Sequence, residues 1–217
     1  MVWHECRWPS ISIFNQPRRN SSSLQRNRYS THYQVCDATT GGKIAVMVGL
    51  PERFAIEAEP REIEGEWIWG GFRFWLGDRQ VGEWKDAAAL QLCYGWLKRF
   101  CEHPPDCVEP RAAHSTSEQV FRLIVEPVMG PDAVADPAKQ PLPFAYERFH
   151  ISHLGMSSFD SYIIVLLKDA VGNERCLWRR HNDTTIYDQW LNPDEMERVA
   201  CEFCKEFARI NISESPT

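Results

Sequence analysis

The stretch HISHLGMSSFD, which starts at His150, packs the residue types of metal sites and nucleophile triads into one short segment. His150 and His153 could bind a metal ion or act as a general base. Ser157 and Asp160 could serve as a nucleophile and its acidic partner, and Gly155-Met-Ser157 resembles the start of a G-x-S-x-G nucleophile elbow. These residue types raise the hypothesis of a small hydrolase-like enzyme.

The spacing of these residues fits neither kind of site. His150 and His153 follow an alternating segment, and positions three apart on a strand point to opposite faces. No HExxH motif or nearby carboxylate completes a ligand set, so the sequence predicts no metal and no cofactor. The elbow fails because its fifth position is Phe159 and because the stretch precedes a strand instead of following one.

A hydrogen-bonded turn is the preferred interpretation of the stretch. Gly155 permits a left-handed turn residue. Ser157, Ser158 and Asp160 can each accept hydrogen bonds from nearby backbone N–H groups. We therefore predict no catalytic residue here and interpret both histidines as structural.

The elements around this stretch begin with a predicted antiparallel meander. Residues 46–48 and 54–58 indicate a strand pair interrupted by Pro51. Phe72, Phe74 and Leu76 alternate with Arg73 and Trp75, and this period of two predicts a further strand. Gly77-Asp78 then provides a turn to a short return strand, and Gly70-Gly71 is interpreted as a bulge.

Helices and a second meander follow. Asp86 is predicted to cap a helix that Pro104 ends, and Ser115-x-x-Glu118 predicts a capping box for a second helix. Strand character returns over residues 144–151, and the apolar run 162–167 favours a central strand. Two more strands and a last helix, capped by Asn192, complete a predicted α+β fold, an antiparallel sheet of two meanders with about three helices packed on it.

The charged residues are distributed unevenly along the chain. Residues 1–46 have a net charge of +4 and the whole chain −6, which leaves −10 for residues 47–217. We expect residues 1–46 to be a basic, disordered leader, or to lie upstream of the natural start. Residues 47–217 are expected to form a single domain. Its acidity disfavours direct binding of nucleic acid and suits either ordinary solubility or docking on a basic partner.

The cysteines and apolar segments indicate a cytoplasmic protein. The chain has 8 cysteines, and Cys93 and Cys101, like Cys201 and Cys204, fall at helical spacing, which favours buried reduced thiols. Cys201-x-x-Cys204 lacks the second half of a zinc site. No run of apolar residues is long enough for a transmembrane helix, so no membrane association is expected.

Several stretches resemble the immunity protein 42 family of bacterial polymorphic-toxin systems. They are VGLPERFAIEAE, WIWGGFRFWLGDRQVG, LQLCYGWLKRF, ERFHISHLGMSSFDSY and ERCLWRR with the C-terminal helix. The resemblance implies a small cytoplasmic protein that binds a cognate toxin and catalyses no reaction. The acidic domain adds the expectation of a basic toxin, with a nuclease as one candidate.

Partner binding of this kind requires exposed aromatic anchors surrounded by complementary charge. Trp67, Trp69, Trp75 and Trp84 are the candidates, although core packing is expected for most of them. Two other functions stay open, namely the hydrolase-like enzyme and a general protein-interaction domain unconnected to toxins.

Overall fold

The computed structural model describes residues 45–129, 148–151 and 157–213. Within these ranges the chain forms eight strands, five helices and a 3-10 turn at Ser157–Phe159. The strands are β1 (Val46–Leu50), β2 (Phe54–Glu64), β3 (Trp67–Leu76), β4 (Arg79–Val81), β5 (Ala88–Ala89), β6 (Tyr162–Lys168), β7 (Glu174–Arg180) and β8 (Tyr187–Leu191). The helices are α1 (Leu90–Glu102), α2 (Pro110–Ala113), α3 (Ser117–Ile124), α4 (Glu126–Met129) and α5 (Glu195–Ser213). The predicted α+β class is confirmed.

The predicted leader, residues 1–46, lies outside the described residues except for its last two positions. Val46, which the charge pattern assigns to the leader, is the first residue of β1. It pairs with Ala58 and is largely buried, so the folded part of the chain includes it.

The first sheet is antiparallel and has the order β1-β2-β3-β4, with β5 also paired to β3. The predicted alternation is confirmed, because Phe72, Phe74 and Leu76 are buried on one face of β3. Gly77 and Asp78 join β3 to β4 with φ angles of 57° and 63°. Two successive positive φ angles are what a type I′ hairpin turn requires.

The bulge predicted at Gly70-Gly71 lies on the neighbouring strand instead. The register of β2 against β3 shifts between Pro60 and Glu62, which makes Arg61 the extra residue. Gly70 is needed for a different reason, because a Cβ atom there would overlap the carbonyl group of Glu59.

The second sheet has the order β6-β7-β8 and is also antiparallel. The apolar run was predicted to be a central strand, but β6 lies at one side of this sheet. Its outer edge is nevertheless covered, by short bridges from Val108 to Lys168 and from His150 to Val165. The strand predicted over residues 144–151 is wrong for its described part, where only His150 forms a bridge. Residues 144–147 lie outside the described residues.

Helix α1 begins later than predicted. Asp86 does not cap it, because residues 88–89 stay extended to pair with Trp69 and Gly70, and the helix starts only at Leu90. It ends before Pro104, as predicted. Its buried side, which includes Leu97, packs against the first sheet.

The predicted caps of α3 and α5 are each displaced along the chain. The capping box of α3 joins Thr116 and Gln119, one residue after the predicted pair, with the Gln119 side chain accepting from the Thr116 N–H at 2.9 Å. At α5 the helix starts at Glu195, so Asn192 is not its cap. The Glu195 carboxylate nevertheless accepts the Asn192 N–H at 2.9 Å.

Helix α5 contributes several large side chains to the core. Its buried side includes Met196, Val199, Phe203 and Phe207. The Phe203 ring meets that of Phe72 edge-on, with 5.9 Å between ring centres, so α5 packs on the inner face of the first sheet. None of the helices in the described ranges is long and apolar enough to span a membrane.

The prediction of reduced thiols is wrong for one pair. Cys101 of α1 and Cys201 of α5 form a disulfide, because the two helices pack against each other and bring these positions to a Cα–Cα distance of 5.7 Å. Cys93 is a buried free thiol, as predicted, and Cys107 and Cys176 are buried free thiols as well. Burial raises the pKa of each of the three, which makes them poor nucleophiles.

Candidate functional site

The four tryptophans proposed as anchors lie together on the outer face of the first sheet, opposite the core. Side chains alternate along β3, so Phe72 and Phe74 point inward while Trp67, Trp69 and Trp75 point outward. Trp84 follows β4 and reaches the same face through its contacts with arginine side chains. None of the four belongs to the buried core, and Trp67 is 46% exposed. The expectation that most of them pack in the core is therefore wrong.

We call this surface the tryptophan face. It consists of ten residues of β2, β3 and the segment after β4: Glu57, Glu59, Arg61, Glu62, Glu64, Trp67, Trp69, Arg73, Trp75 and Trp84. Its acidic residues lie along β2 and three of its four tryptophans lie along β3, so that carboxylates and aromatic rings are side by side.

We call the part of this face formed by Glu57, Glu59, Arg61, Arg73, Trp75 and Trp84 its inner half. Arg73 holds this part together. Its Nε donates to the Glu57 carboxylate at 2.7 Å, and its Nη1 donates to the Gln80 side chain at 2.7 Å. Its guanidinium lies 4.0 Å from the ring centre of Trp84 and 4.7 Å from that of Trp75. The indole N–H of Trp75 donates to the same Glu57 oxygen at 2.7 Å. These contacts hold both rings in fixed positions before any partner binds.

Arg61, the extra residue of the bulge, also stabilises the inner half of the face. Its Nε donates to the Glu59 carboxylate at 2.8 Å and its Nη2 to the Trp84 carbonyl at 2.7 Å. Gly71 makes room for this arrangement, because a Cβ atom there would overlap the Arg61 guanidinium and press on the Trp84 ring. The glycine thus has a packing role on the outer face.

The outer half of the face, at the end of the β2–β3 hairpin, lacks such cations. Beyond the bulge, Glu62 pairs with Trp69 and Glu64 pairs with Trp67 across the two strands. The two indole rings lie 6.5 Å apart. Neither carboxylate forms an ion pair with any residue of the described ranges, so negative charge remains uncompensated beside exposed aromatic surface.

The HISHLGMSSFD stretch has a structural role where it is described. The Ser158 carbonyl accepts the Glu83 N–H at 2.7 Å, and Phe159 packs between strands with its ring 4.7 Å from that of Phe74. The prediction that serine hydroxyls accept backbone N–H groups is wrong for Ser158, whose hydroxyl is buried without a partner in the described part of the chain. Predicted turn residues His153 and Gly155 lie outside the described residues.

The described residues do not assemble the hypothetical catalytic set. His150 is buried and forms a bridge with Val165, within β6. Ser157 and Asp160 are exposed and lie before the start of that strand. An open cleft beside Asp160 is lined by Ser161, Arg180, His181, Asn182 and Asp183, without His150 or Ser157. The described ranges contain no group of three His, Cys, Asp or Glu side chains placed to share a metal ion.

Arg73, Arg61 and Glu57 were not among the predicted site residues. A signal for Arg73 was present in the sequence, since it occupies an outward position between Phe72 and Phe74 in the alternation that predicts β3. Arg61 gave no such signal, because its position depends on the register of two strands.

Comparison with known proteins agrees with this architecture. The model of the family described as immunity protein 42 matches residues 46–206. The crystal structure of CdiI from Burkholderia dolosa AUO158 has a similar fold, with a TM-score of 0.59 and 16% identity over 74% of this chain and 99% of that chain. No curated protein matches the sequence. The family match covers most of the chain, and the chain belongs to the immunity protein 42 family.

Proposed function

We propose that this protein binds a cognate protein toxin and neutralises it by occlusion, without catalysing a reaction. The observation that carries the proposal is the tryptophan face, where Arg73 and Arg61 hold rigid aromatic side chains on an outward surface. Aromatic residues and arginine are the residue types in which binding energy concentrates at protein interfaces. Membership of an immunity protein family supports the toxin as the partner.

The charge of the domain supports a basic toxin, and a nuclease is the class that we favour. Residues 47–217 carry a net charge of −10, and an opposite charge on the toxin would accelerate association. We place the interaction in the cytoplasm, in keeping with the expected site of action of such a toxin.

Co-expression with the toxin encoded beside this chain tests the proposal. The expected result is rescue of growth and co-purification of the two proteins. Trp67→Ala should weaken binding by about thirtyfold, which corresponds to a hot-spot loss of about 2 kcal/mol. Trp190→Ala is the matched control, because Trp190 is comparably exposed, at 41%, but belongs to β8 of the other sheet.

The result also separates binding from catalysis. Asp160→Asn removes the acidic residue of the hypothetical catalytic set and should leave protection unchanged. Loss of protection with normal toxin binding in this variant would favour the enzyme hypothesis. Unrelieved toxicity and no co-purification with the unmodified chain would refute the proposed function.

A further inference from the structure

We infer that the outer half of the tryptophan face, formed by Glu62, Glu64, Trp67 and Trp69, binds an arginine or lysine side chain presented by the toxin. The inference rests on the proposed function and specifies the chemistry by which this surface recognises its partner.

The inner half of the face contains such a site with a cation from the chain itself. The Arg73 guanidinium lies over Trp84 and Trp75, and its N–H edge donates to the Glu57 carboxylate. An aromatic ring satisfies the flat face of a guanidinium, and a carboxylate satisfies its edge. Ring and carboxylate together therefore form a complete receptor for this group.

The outer half repeats the rings and the carboxylates without the cation. Glu62 and Glu64 stand directly across from Trp69 and Trp67, at a spacing that brings paired side chains into contact. No arginine of the described ranges lies over either ring, and no described cation pairs with either carboxylate. The two halves differ in one respect, because the indole N–H of Trp69 is buried without an acceptor in the described ranges, whereas that of Trp75 donates to Glu57.

The outer half is accessible to a partner. Trp67 is 46% exposed and Ile63, on the opposite side of the same hairpin end, is 62% exposed. The pairing of β1 with β2 ends at Ala58 and that of β4 with β3 ends at Phe74, while the two-residue strand β5 pairs with β3 only as far as Trp69. A hairpin end with exposed apolar and uncompensated acidic groups fits a basic protein surface better than an acidic or neutral one.

The test removes the two negative charges without changing side-chain shape. Glu62→Gln combined with Glu64→Gln should weaken binding of the toxin encoded beside this chain by about tenfold at low salt, measured by calorimetry. The difference from the unmodified protein should shrink at high salt, because screening already weakens the charge interaction there. Circular dichroism should show an unchanged fold, since neither carboxylate has a described ion pair.

Glu102→Gln combined with Glu118→Gln is the matched control, because it removes the same charge from exposed positions on α1 and α3. We expect it to change affinity less than about twofold. If the hairpin variant behaves like this control while Trp67→Ala still weakens binding, the inference is wrong and the proposed function stands. If the unmodified chain does not bind the toxin at all, the proposed function fails first.

Discussion

Replacing Arg73 with methionine would remove the centre of the tryptophan face while keeping an apolar side chain of similar length. The change deletes the bonds to Glu57 and Gln80 and both ring contacts, to Trp84 at 4.0 Å and Trp75 at 4.7 Å. Arg73 and Glu57 are only 12% and 14% exposed, so solvent screens their ion pair weakly.

The expected cost follows from these contacts. A hydrogen bond between charged groups contributes about 1.5–3 kcal/mol, and each cation–π contact contributes about 0.5–2 kcal/mol. Glu57 keeps the indole N–H of Trp75, so its charge is not left without a donor. Because coupled contacts do not add, we expect Arg73→Met to lower the free energy of unfolding by about 3 kcal/mol.

Urea denaturation followed by circular dichroism measures this loss. With a denaturant slope of about 2 kcal/mol/M, the midpoint should fall by about 1.5 M. Arg79→Met is the control, because the Arg79 guanidinium has a cation–π contact with the Tyr187 ring, at 4.5 Å, but no side-chain hydrogen bond or ion pair in the described ranges, so its loss should cost less than about 1 kcal/mol. Equal midpoints for the two variants would refute the view that Arg73 holds this face together.

Three further predictions concern contacts that affect the stability of the fold, namely those of Arg175, of Glu174 and of the Cys101–Cys201 disulfide. Arg175→Met should destabilise the protein by about 3–5 kcal/mol in the same urea assay. The reason is that the nearly buried guanidinium pairs with Asp188 and also donates to the Ala113 carbonyl at 2.8 Å. A loss of stability below about 1 kcal/mol would contradict this prediction. Burial raises the pKa of Glu174, so its contribution to stability is present below pH 4.5 and is lost as pH rises through the raised value. The stability of Glu174→Gln relative to the unmodified protein should therefore increase as pH rises from 4.5 through the raised pKa, and a pH-independent difference would argue against the raised pKa. Cys101 and Cys201 are 100 residues apart in sequence, and reducing their disulfide should lower the free energy of unfolding by about 2–4 kcal/mol. The free energy of unfolding of a Cys101→Ala variant should not change when dithiothreitol is added.

The strands were predictable where one face of a segment is buried. The alternation around Phe72 and Phe74 follows directly from the two-residue period of a strand that is apolar on one side. The same alternation puts Trp67, Trp69 and Trp75 on the outer face. Sequence reasoning assigned most of these large apolar residues to the core, because residue type alone does not show which side of a sheet is covered.

The errors have a common physical origin in contacts between distant segments. Asp86 has the chemistry of a helix cap, but the pairing of the next residues with β3 delays the helix to Leu90. Cys101 and Cys201 have buried-thiol spacing within their own helices, and only the packing of α1 on α5 brings them together. His150 belongs to the second sheet through a single bridge to β6, which no local pattern indicates.

The bulge at Arg61 divides the β2–β3 hairpin into two parts, and the strand register of each part is set separately. On the inner side of the bulge, the register is set by apolar residues that α5 covers; on the outer side, it is set from the turn at Gly65. A change of residue type near Glu62 or Trp67 therefore leaves the inner contacts in place. This surface can acquire a new partner preference by substitution at the hairpin end, while the residues that fold the domain stay as they are.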